Sequence, residues 1–339
     1  MKNNIFIILG NGFSIELIEK LDLSKQIDLS NLFSKGDQVI WPGTQEKGFL
    51  SYKRCQNLWT LGARSHIDKE ESGLIIDNVI TALNVYNFVR TNDSRNPDEE
   101  LSNIYVQAYN ELSTYLKHLF IHYNSLVSDS QLSAIGMPLI DYLKKRVSEG
   151  YCINIITYNY DIFLERLLYI AHIDYKVEGF HTKESNVNII KPHGSINYSS
   201  KKRVKAKQFE IKSIFNSIEC KLDELELLTS DLNIDDSLIN AIIPPSGDSN
   251  RLSSGWPYEL RNIIENKLNH VTEKDVAIFY GISYCHVDRM EIDRIITSLH
   301  PKTNVKYVNP YPSETFDIVL CSIFENYIHL QNSNSLMEV

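Results

Sequence analysis

Three short segments hold the residue types best suited to chemistry. Asn159 and Asp161 follow Cys152–Thr157, which reads as a buried strand, and place a neutral amide and a carboxylate two residues apart. His193 and Gly194 follow a second such strand, Val187–Ile190, after Lys191-Pro192. Gly10-Asn11-Gly12-Phe13-Ser14 follows a third, Asn4–Leu9. A histidine with an ordinary pKa of about 6.5 can act as a base near neutral pH. An asparagine can orient water or a sugar hydroxyl without being trapped as an ester by a cationic centre. Glycines let the backbone approach a pyrophosphate, which the start of a helix favours. Each residue also has a plainer role: Asn and Asp are preferred helix caps, a glycine turn joins many strands to helices, and a lone histidine is often structural. The local sequence leaves both readings open.

Common to all three is the element that precedes them. A strand apolar on both faces belongs inside a covered, mostly parallel sheet, and a ligand-binding loop in such a sheet sits at the carboxyl end of the strand. Asn4–Leu9, a tight Gly10–Gly12 loop and a helix through Leu17, Ile18 and Leu21 form the first unit. Cys152–Thr157, the loop Tyr158–Asp161 and a helix carrying Phe163, Leu164, Leu167 and Leu168 form the second. Val276–Tyr280, the loop Gly281-Ile282-Ser283 and a helix with Ile292, Ile295, Ile296 and Leu299 form the third. Val305–Val308 is a fourth strand, and Phe316, Val319, Leu320, Ile323, Phe324 and Tyr327 mark its helix. A short strand over Ala241–Ile243 ends in Pro244-Pro245. Strands alternating with amphipathic helices predict an α/β, doubly wound, Rossmann-like and mostly parallel sheet with an inserted, mainly helical lobe.

The expected boundaries are residues 1–30 and 150–330 for the nucleotide-binding domain, 31–149 for the helical insertion and 199–236 for a small charged insertion. Within the helical insertion, Leu101 to Tyr123 and Leu132 to Val147 carry helical stripes, and Thr91–Glu100 reads as a loop.

With 339 residues, 43% hydrophobic and 23% charged, the chain has the composition of a soluble globular protein of one large or two modest domains. A net charge of −9 repels a nucleic-acid backbone, and the basic run Lys201–Lys207 reads as a solvated loop, so direct nucleic-acid binding is not expected. The nearest of the five cysteines in sequence are Cys285 and Cys321, which excludes a CxxC pair and a local zinc ribbon. The first apolar run ends at Gly10, too short for a signal peptide or a membrane span, so the expected compartment is the cytoplasm, with no membrane partner.

Taken in order, the motifs resemble the Sir2 (sirtuin) superfamily, and more closely its bacterial Sir2-like NAD-hydrolysing branch of antiphage defence. The matching residues are Gly10, Gly12, Phe13 and Ser14; Thr157, Asn159 and Asp161; His193 and Gly194; Gly281 and Ser283; and Asn309. They cover residues 1–30 and 150–330 and leave the helical insertion unmatched. The resemblance implies NAD+ as substrate, with Asn159 and His193 as the catalytic pair. Gly10, Gly12, Phe13 and Ser14 would hold the pyrophosphate and neighbouring ribose, with Asp161 near the nicotinamide. Gly281, Ser283 and Asn309 would hold the adenosine half, and Thr157 and Gly194 complete the cofactor-binding set.

Two departures bear on the reaction. Protein-deacylating sirtuins carry a zinc module with two CxxC pairs, and this sequence has none; the segment after Ser14 also lacks a Gly-Ile-Pro stretch. The resemblance therefore implies NAD+ cleavage to nicotinamide and ADP-ribose, with no metal, rather than deacylation. A module that senses NAD or ADP-ribose without turnover is the alternative from another class. An NAD-consuming enzyme must be silenced in its host, so a homo-oligomer is expected, with the helical insertion as its candidate surface. By family analogy alone, a HerA/FtsK-like hexameric ATPase is the implied partner.

Overall fold

The structure is a computed structural model describing residues 3–91, 103–181, 183–202, 209–211, 220–229, 232, 240–245, 254–284 and 289–338, with side chains of 87–91 left aside. In chain order the elements begin β1 (Asn4–Leu9), α1 (Asn11–Lys20), α2 (Gln56–Thr60), α3 (Lys69–Thr91), α4 (Ile104–Ser125), α5 (Asp129–Ala134) and α6 (Pro138–Ser148). They continue β2 (Cys152–Thr157), α7 (Phe163–Ile170), β3 (Tyr175–Val177), β4 (Val187–Ile190), β5 (Gly194–Ser200), β6 (Leu225–Leu227) and β7 (Asn240–Ile242). The last are α8 (Gly255–Leu268), β8 (Val276–Tyr280), α9 (Arg289–Ser298), β9 (Asn304–Val308), α10 (Glu314–Ile323) and β10 (Asn326–Leu330).

Contacts divide the chain into two compact units, the first made of Met1–Leu23, Val127–Pro192 and Pro257–Val339, the second of Ser24–Leu126 and His193–Trp256. The first unit holds a seven-stranded sheet in the order β10-β9-β8-β1-β2-β4-β3. Every pairing in it is parallel. This is the Rossmann-like α/β sheet that the alternating pattern predicts. Ile5, Ile7, Ile8 and Leu9 of β1 are buried, as are Ile153, Ile155 and Ile156 of β2. β-branched side chains on both faces of a central strand suit a pleated sheet covered on each side.

Order along the sheet matters for function. From β1 the chain proceeds to β2, β4 and β3 on one side, whereas β8, β9 and β10 extend on the other. The reversal falls between β1 and β8, and the carboxyl ends of strands at such a switch point are where open α/β sheets bind ligands. Gly10 and Gly281 stand at those two ends.

In the second unit α4 is the central element, flanked by α2 and α3, with a three-stranded antiparallel sheet in the order β6-β5-β7. α4 is buried around nearly its whole circumference, polar residues included, rather than along one stripe. Those polar groups are used: the Glu111 carboxylate accepts from the backbone N–H groups of Asn57 and Leu58 at the start of α2.

Several expectations are corrected. The stripe from Leu132 to Val147 is two helices, α5 and α6, because Gly136-Met137 interrupts it and Pro138 starts a new first turn. Tyr327 belongs to β10, since α10 ends at Ile323 and Phe324 is already extended. Gly10–Gly12 is hardly a loop: Gly10 caps α1, and Asn11 and Gly12 form its first turn. Gly194-Ser195-Ile196-Asn197 is strand, not strand-end loop. The contact clustering groups α5 and α6 with the parallel sheet and His193–Trp256 with residues 24–126. The expected loop 92–100, Cys285 and the basic residues 203–207 lie outside the described residues, as does most of 199–236.

Candidate active site

The carboxyl end of β2 gathers a connected set of buried polar side chains within the first unit. Thr157 ends the strand, and its Oγ1 accepts the backbone N–H of Asn159 at 3.2 Å, which tightens the turn. The Asn159 amide Nδ2 donates to the Gly10 carbonyl at 3.1 Å and to Ser14 Oγ at 3.0 Å. A carbonyl can only accept, so this contact fixes which way the amide faces. Both amide hydrogens are thereby committed, and Oδ1 is the atom of that side chain left to accept from water or a hydroxyl. Ser14 in turn donates to Asp161 Oδ2 at 2.8 Å. The other oxygen, Oδ1, accepts the backbone N–H of Phe163, the first residue of α7, at 3.1 Å. Asp161 therefore supports a helix start as well as the serine.

Burial pushes the Asp161 carboxyl above its usual range, and the Lys191 ammonium and the Ser14 hydroxyl work against that rise. The lysine is the residue that sequence reasoning passed over. It directly continues β4 and is wholly buried; its Nζ donates to the Asp161 backbone carbonyl and to Glu165 Oε1 at 2.9 Å. The available signal was a cation placed directly after a wholly buried, Val- and Ile-rich strand.

Around the switch point the glycines have a packing reason. Gly12 N–H donates to the Gly281 carbonyl at 3.1 Å. A Cβ on Gly12 would lie 2.5 Å from Gly281 Cα, and one on Gly281, whose φ is +62°, would lie 2.6 Å from Gly12 Cα. The two loops meet backbone to backbone, and only glycine permits that approach. The Phe13 N–H bonds back to Gly10, and the Phe13 ring is core, edge-on to Tyr280. Two of the amides expected to face a pyrophosphate are thus engaged within the fold. α1 has neither a side-chain cap nor an acidic residue in its first turn, so its N-terminal partial charge is not offset locally.

The remaining expected residues divide. Ser283 is exposed beside the switch point. Asn309 braces the same loops: its Nδ2 donates to the Ile282 carbonyl and to the Tyr307 hydroxyl, both at 3.0 Å, and its Oδ1 accepts from Tyr311 N–H. His193 is buried and is the first residue of the second unit, where its carbonyl accepts from Ile243 N–H. Gly194, with φ +85°, packs so closely in that unit that a Cβ would stand 1.9 Å from the Ala241 carbonyl oxygen. The structure thus brings together Gly10, Ser14, Thr157, Asn159 and Asp161 at one strand end, and Gly12, Gly281 and Asn309 around the adjacent turn.

A cavity of about 670 Å³ also lies in the first unit, lined by Lys144, Cys152, His172 and Asn186 among others. It sits where β2 begins, at the opposite edge of the sheet, and contains none of the residues above. Among the described residues no group of three or more His, Cys, Asp or Glu is placed to hold a metal ion, and no helix is long and apolar enough to cross a membrane. No protein-family model matches the chain, and no curated protein matches its sequence.

Proposed function

We propose that the chain is an NAD+ glycohydrolase that cleaves the nicotinamide–ribose bond, serving as an NAD+-depleting effector of antiphage defence. The observation that carries this reading is the Asn159 carboxamide, held by Gly10 and Ser14 at the end of β2 with its carbonyl oxygen free to accept. The position is next to the strand reversal of a parallel sheet, where a dinucleotide is ordinarily bound.

The chemistry asks for few groups. As the C1′–N bond breaks, its electron pair leaves with the nicotinamide ring, which is cationic in NAD+ and departs neutral without an acid. The ribose carbon becomes oxocarbenium-like. Asn159 Oδ1 accepts from the attacking water or from a ribose hydroxyl and fixes its position. The water oxygen bonds to C1′, and its proton passes to a base and then to solvent, the role the resemblance gives to His193. Asp161 adds a buried carboxylate near the developing cation. Supporting roles for Gly10, Gly12, Gly281, Ser283 and Asn309 toward the dinucleotide belong to the same proposal, as do a homo-oligomeric resting state and a hexameric ATPase partner.

The test is product separation after incubating the purified chain with NAD+, alone and with a HerA/FtsK-like hexameric ATPase. Nicotinamide and ADP-ribose should appear, and Asn159→Ala and His193→Ala should each abolish them without lowering the unfolding temperature by more than a few degrees. Full activity in both variants would overturn the assignment, as would a wild-type chain that binds NAD+ and releases no nicotinamide in either setting.

A further inference from the structure

In the second unit, one face of α4 forms the floor of a cavity of about 270 Å³, and the segment 39–45 forms its wall. His118 and His122 stand one turn apart on that helix, so both rings lie on the cavity side. Ile121, Ile40, Pro42 and Trp41 supply apolar surface around them. The wall is tied together by its own hydrogen bonds. Trp41 N–H donates to the Glu46 carbonyl at 2.9 Å, Thr44 N–H returns to the Trp41 carbonyl at 3.2 Å, and Gly48 N–H donates to the Val39 carbonyl at 3.0 Å. The Arg54 guanidinium lies 4.4 Å from the centre of the Trp41 ring and pairs with Glu46 at 2.6 Å.

The hydrogen-bonding capacity of the two imidazoles is not used up within the fold. His118 is buried, stacks on Phe49 at 5.4 Å and meets Phe209 edge-on at 5.1 Å, but its ring nitrogens have no hydrogen-bond partner among the described residues. His122 is half-buried, and its Nε2 is buried with no partner. Burial keeps both rings on the neutral side, pushing His118 down to about 3. A neutral imidazole offers one donor and one acceptor. Buried polar groups are ordinarily satisfied, and apolar walls around a few convergent polar groups are the usual form of a small-molecule site.

We propose that this cavity binds a small neutral ring compound carrying a hydroxyl, a phenol in its simplest form. The ring fills the space beside Trp41, Ile40 and Ile121, and the hydroxyl serves the histidines. A hydroxyl both donates and accepts, so it satisfies imidazoles in either tautomer, accepting an N–H from one and donating to the bare nitrogen of the other. Reaching His122 Nε2 takes a small rotation of that half-buried ring toward the space it lines. The size agrees: an apolar cavity of about 150 Å³ takes up benzene, and this one has room for a substituted ring. A divalent cation does not suit it, because among the described residues no carboxylate or thiolate lines the cavity with the histidines. The site is independent of the NAD+ reading, since it uses no residue assigned to the dinucleotide.

The experiment titrates the full chain at neutral pH with phenol, toluene and benzoate, following the heat by calorimetry and the histidine Cε1 resonances by carbon-13 NMR. Phenol should bind saturably and shift the His118 and His122 resonances, which the variants below assign. Toluene, which lacks the hydroxyl, should bind about tenfold more weakly, the worth of one hydrogen bond. Benzoate is the control for an anion, because the charge of Lys47 is felt at His122 from outside the lining. It too should bind at least about tenfold more weakly than phenol, since the cavity would have to bury a carboxylate against apolar walls. His118→Phe and His122→Phe each keep a ring in place and remove its nitrogens. Each should bring phenol down to the level of toluene and leave toluene unchanged. If His118→Phe does not fold, His122→Phe and the ratio of phenol to toluene in the wild type decide the matter. The proposal is overturned by the absence of saturable phenol binding, by equal affinity for phenol and toluene, by benzoate binding as tightly as phenol, or by variants that bind phenol as the wild type does.

Discussion

Replacing Ser14 with alanine removes one hydroxyl that serves two buried partners. It donates to Asp161 Oδ2 at 2.8 Å and accepts from Asn159 Nδ2 at 3.0 Å. All three residues are buried, so solvent does little to replace either bond. A hydrogen bond to a charged group contributes about 1.5–3 kcal/mol and a neutral one about 0.5–1.5, so Ser14→Ala should cost about 2–4 kcal/mol. Part of that cost belongs to Asp161, which loses a donor that offsets its desolvation. A double-mutant cycle with Asp161→Asn isolates the shared part, because the amide can still accept from Ser14 but carries no charge.

The readout has to come from the right unit. Trp41, Trp59 and Trp256 all fall in the second unit, so tryptophan fluorescence says nothing directly about the parallel sheet. Urea unfolding followed by far-ultraviolet circular dichroism reports on both, and the component that tryptophan does not follow belongs to the sheet. A coupling of about 1 kcal/mol or more between positions 14 and 161 is expected. Additivity within about 0.5 kcal/mol would refute the Ser14–Asp161 hydrogen bond, since residues that do not interact add to that precision.

Gly12→Ala forces a Cβ to within 2.5 Å of Gly281 Cα, where backbone on both sides leaves nothing flexible to give way. A loss of about 1–3 kcal/mol in the same unfolding assay is expected, and an unchanged midpoint would show that the two glycine turns do not meet as described. In the second unit, burial depresses the pKa of His118 to about 3, with Lys117 adding to the effect. A histidine held neutral gives its full stability above the unfolded value of about 6.5 and loses it as pH falls from there toward 3. At pH 5 the loss amounts to about 2 kcal/mol. His118→Phe, which keeps a ring against Phe49 and Phe209, should remove that part of the acid dependence, measured by urea unfolding followed by tryptophan fluorescence at pH 7.5 and 5.

How much of this was legible depends on what each segment is asked to bury. β1, β2, β4 and β8 are read to the residue because each is dominated by Ile, Val, Leu and Phe, as a strand covered on both faces must be, even though β2 and β4 each carry one buried asparagine, Asn154 and Asn188. β10 is hidden for the opposite reason: Asn326–Leu330 is an edge strand with alternating exposure, and Tyr327 continues the helical spacing of Phe316, Leu320 and Phe324 past the end of α10. β5 escapes because Ser195, Asn197, Ser199 and Ser200 are polar residues in a wholly buried strand, which no hydropathy pattern marks.

The same division runs through the site. Asn159 and Asp161 are legible as polar residues that follow a buried strand at the sheet edge where ligands bind, and Ser14 as the polar residue closing the glycine segment after β1. Which atom each one uses is not legible, because that depends on partners more than a hundred residues away, as between Ser14 and Asp161 or Gly10 and Asn159. Read alone, Ser14 is a ligand for phosphate or ribose; in the fold its oxygen is already spoken for on both sides. The structure thus engages the serine with the amide it holds and the glycines with each other, and it sets behind them a buried lysine bonded to the Asp161 peptide.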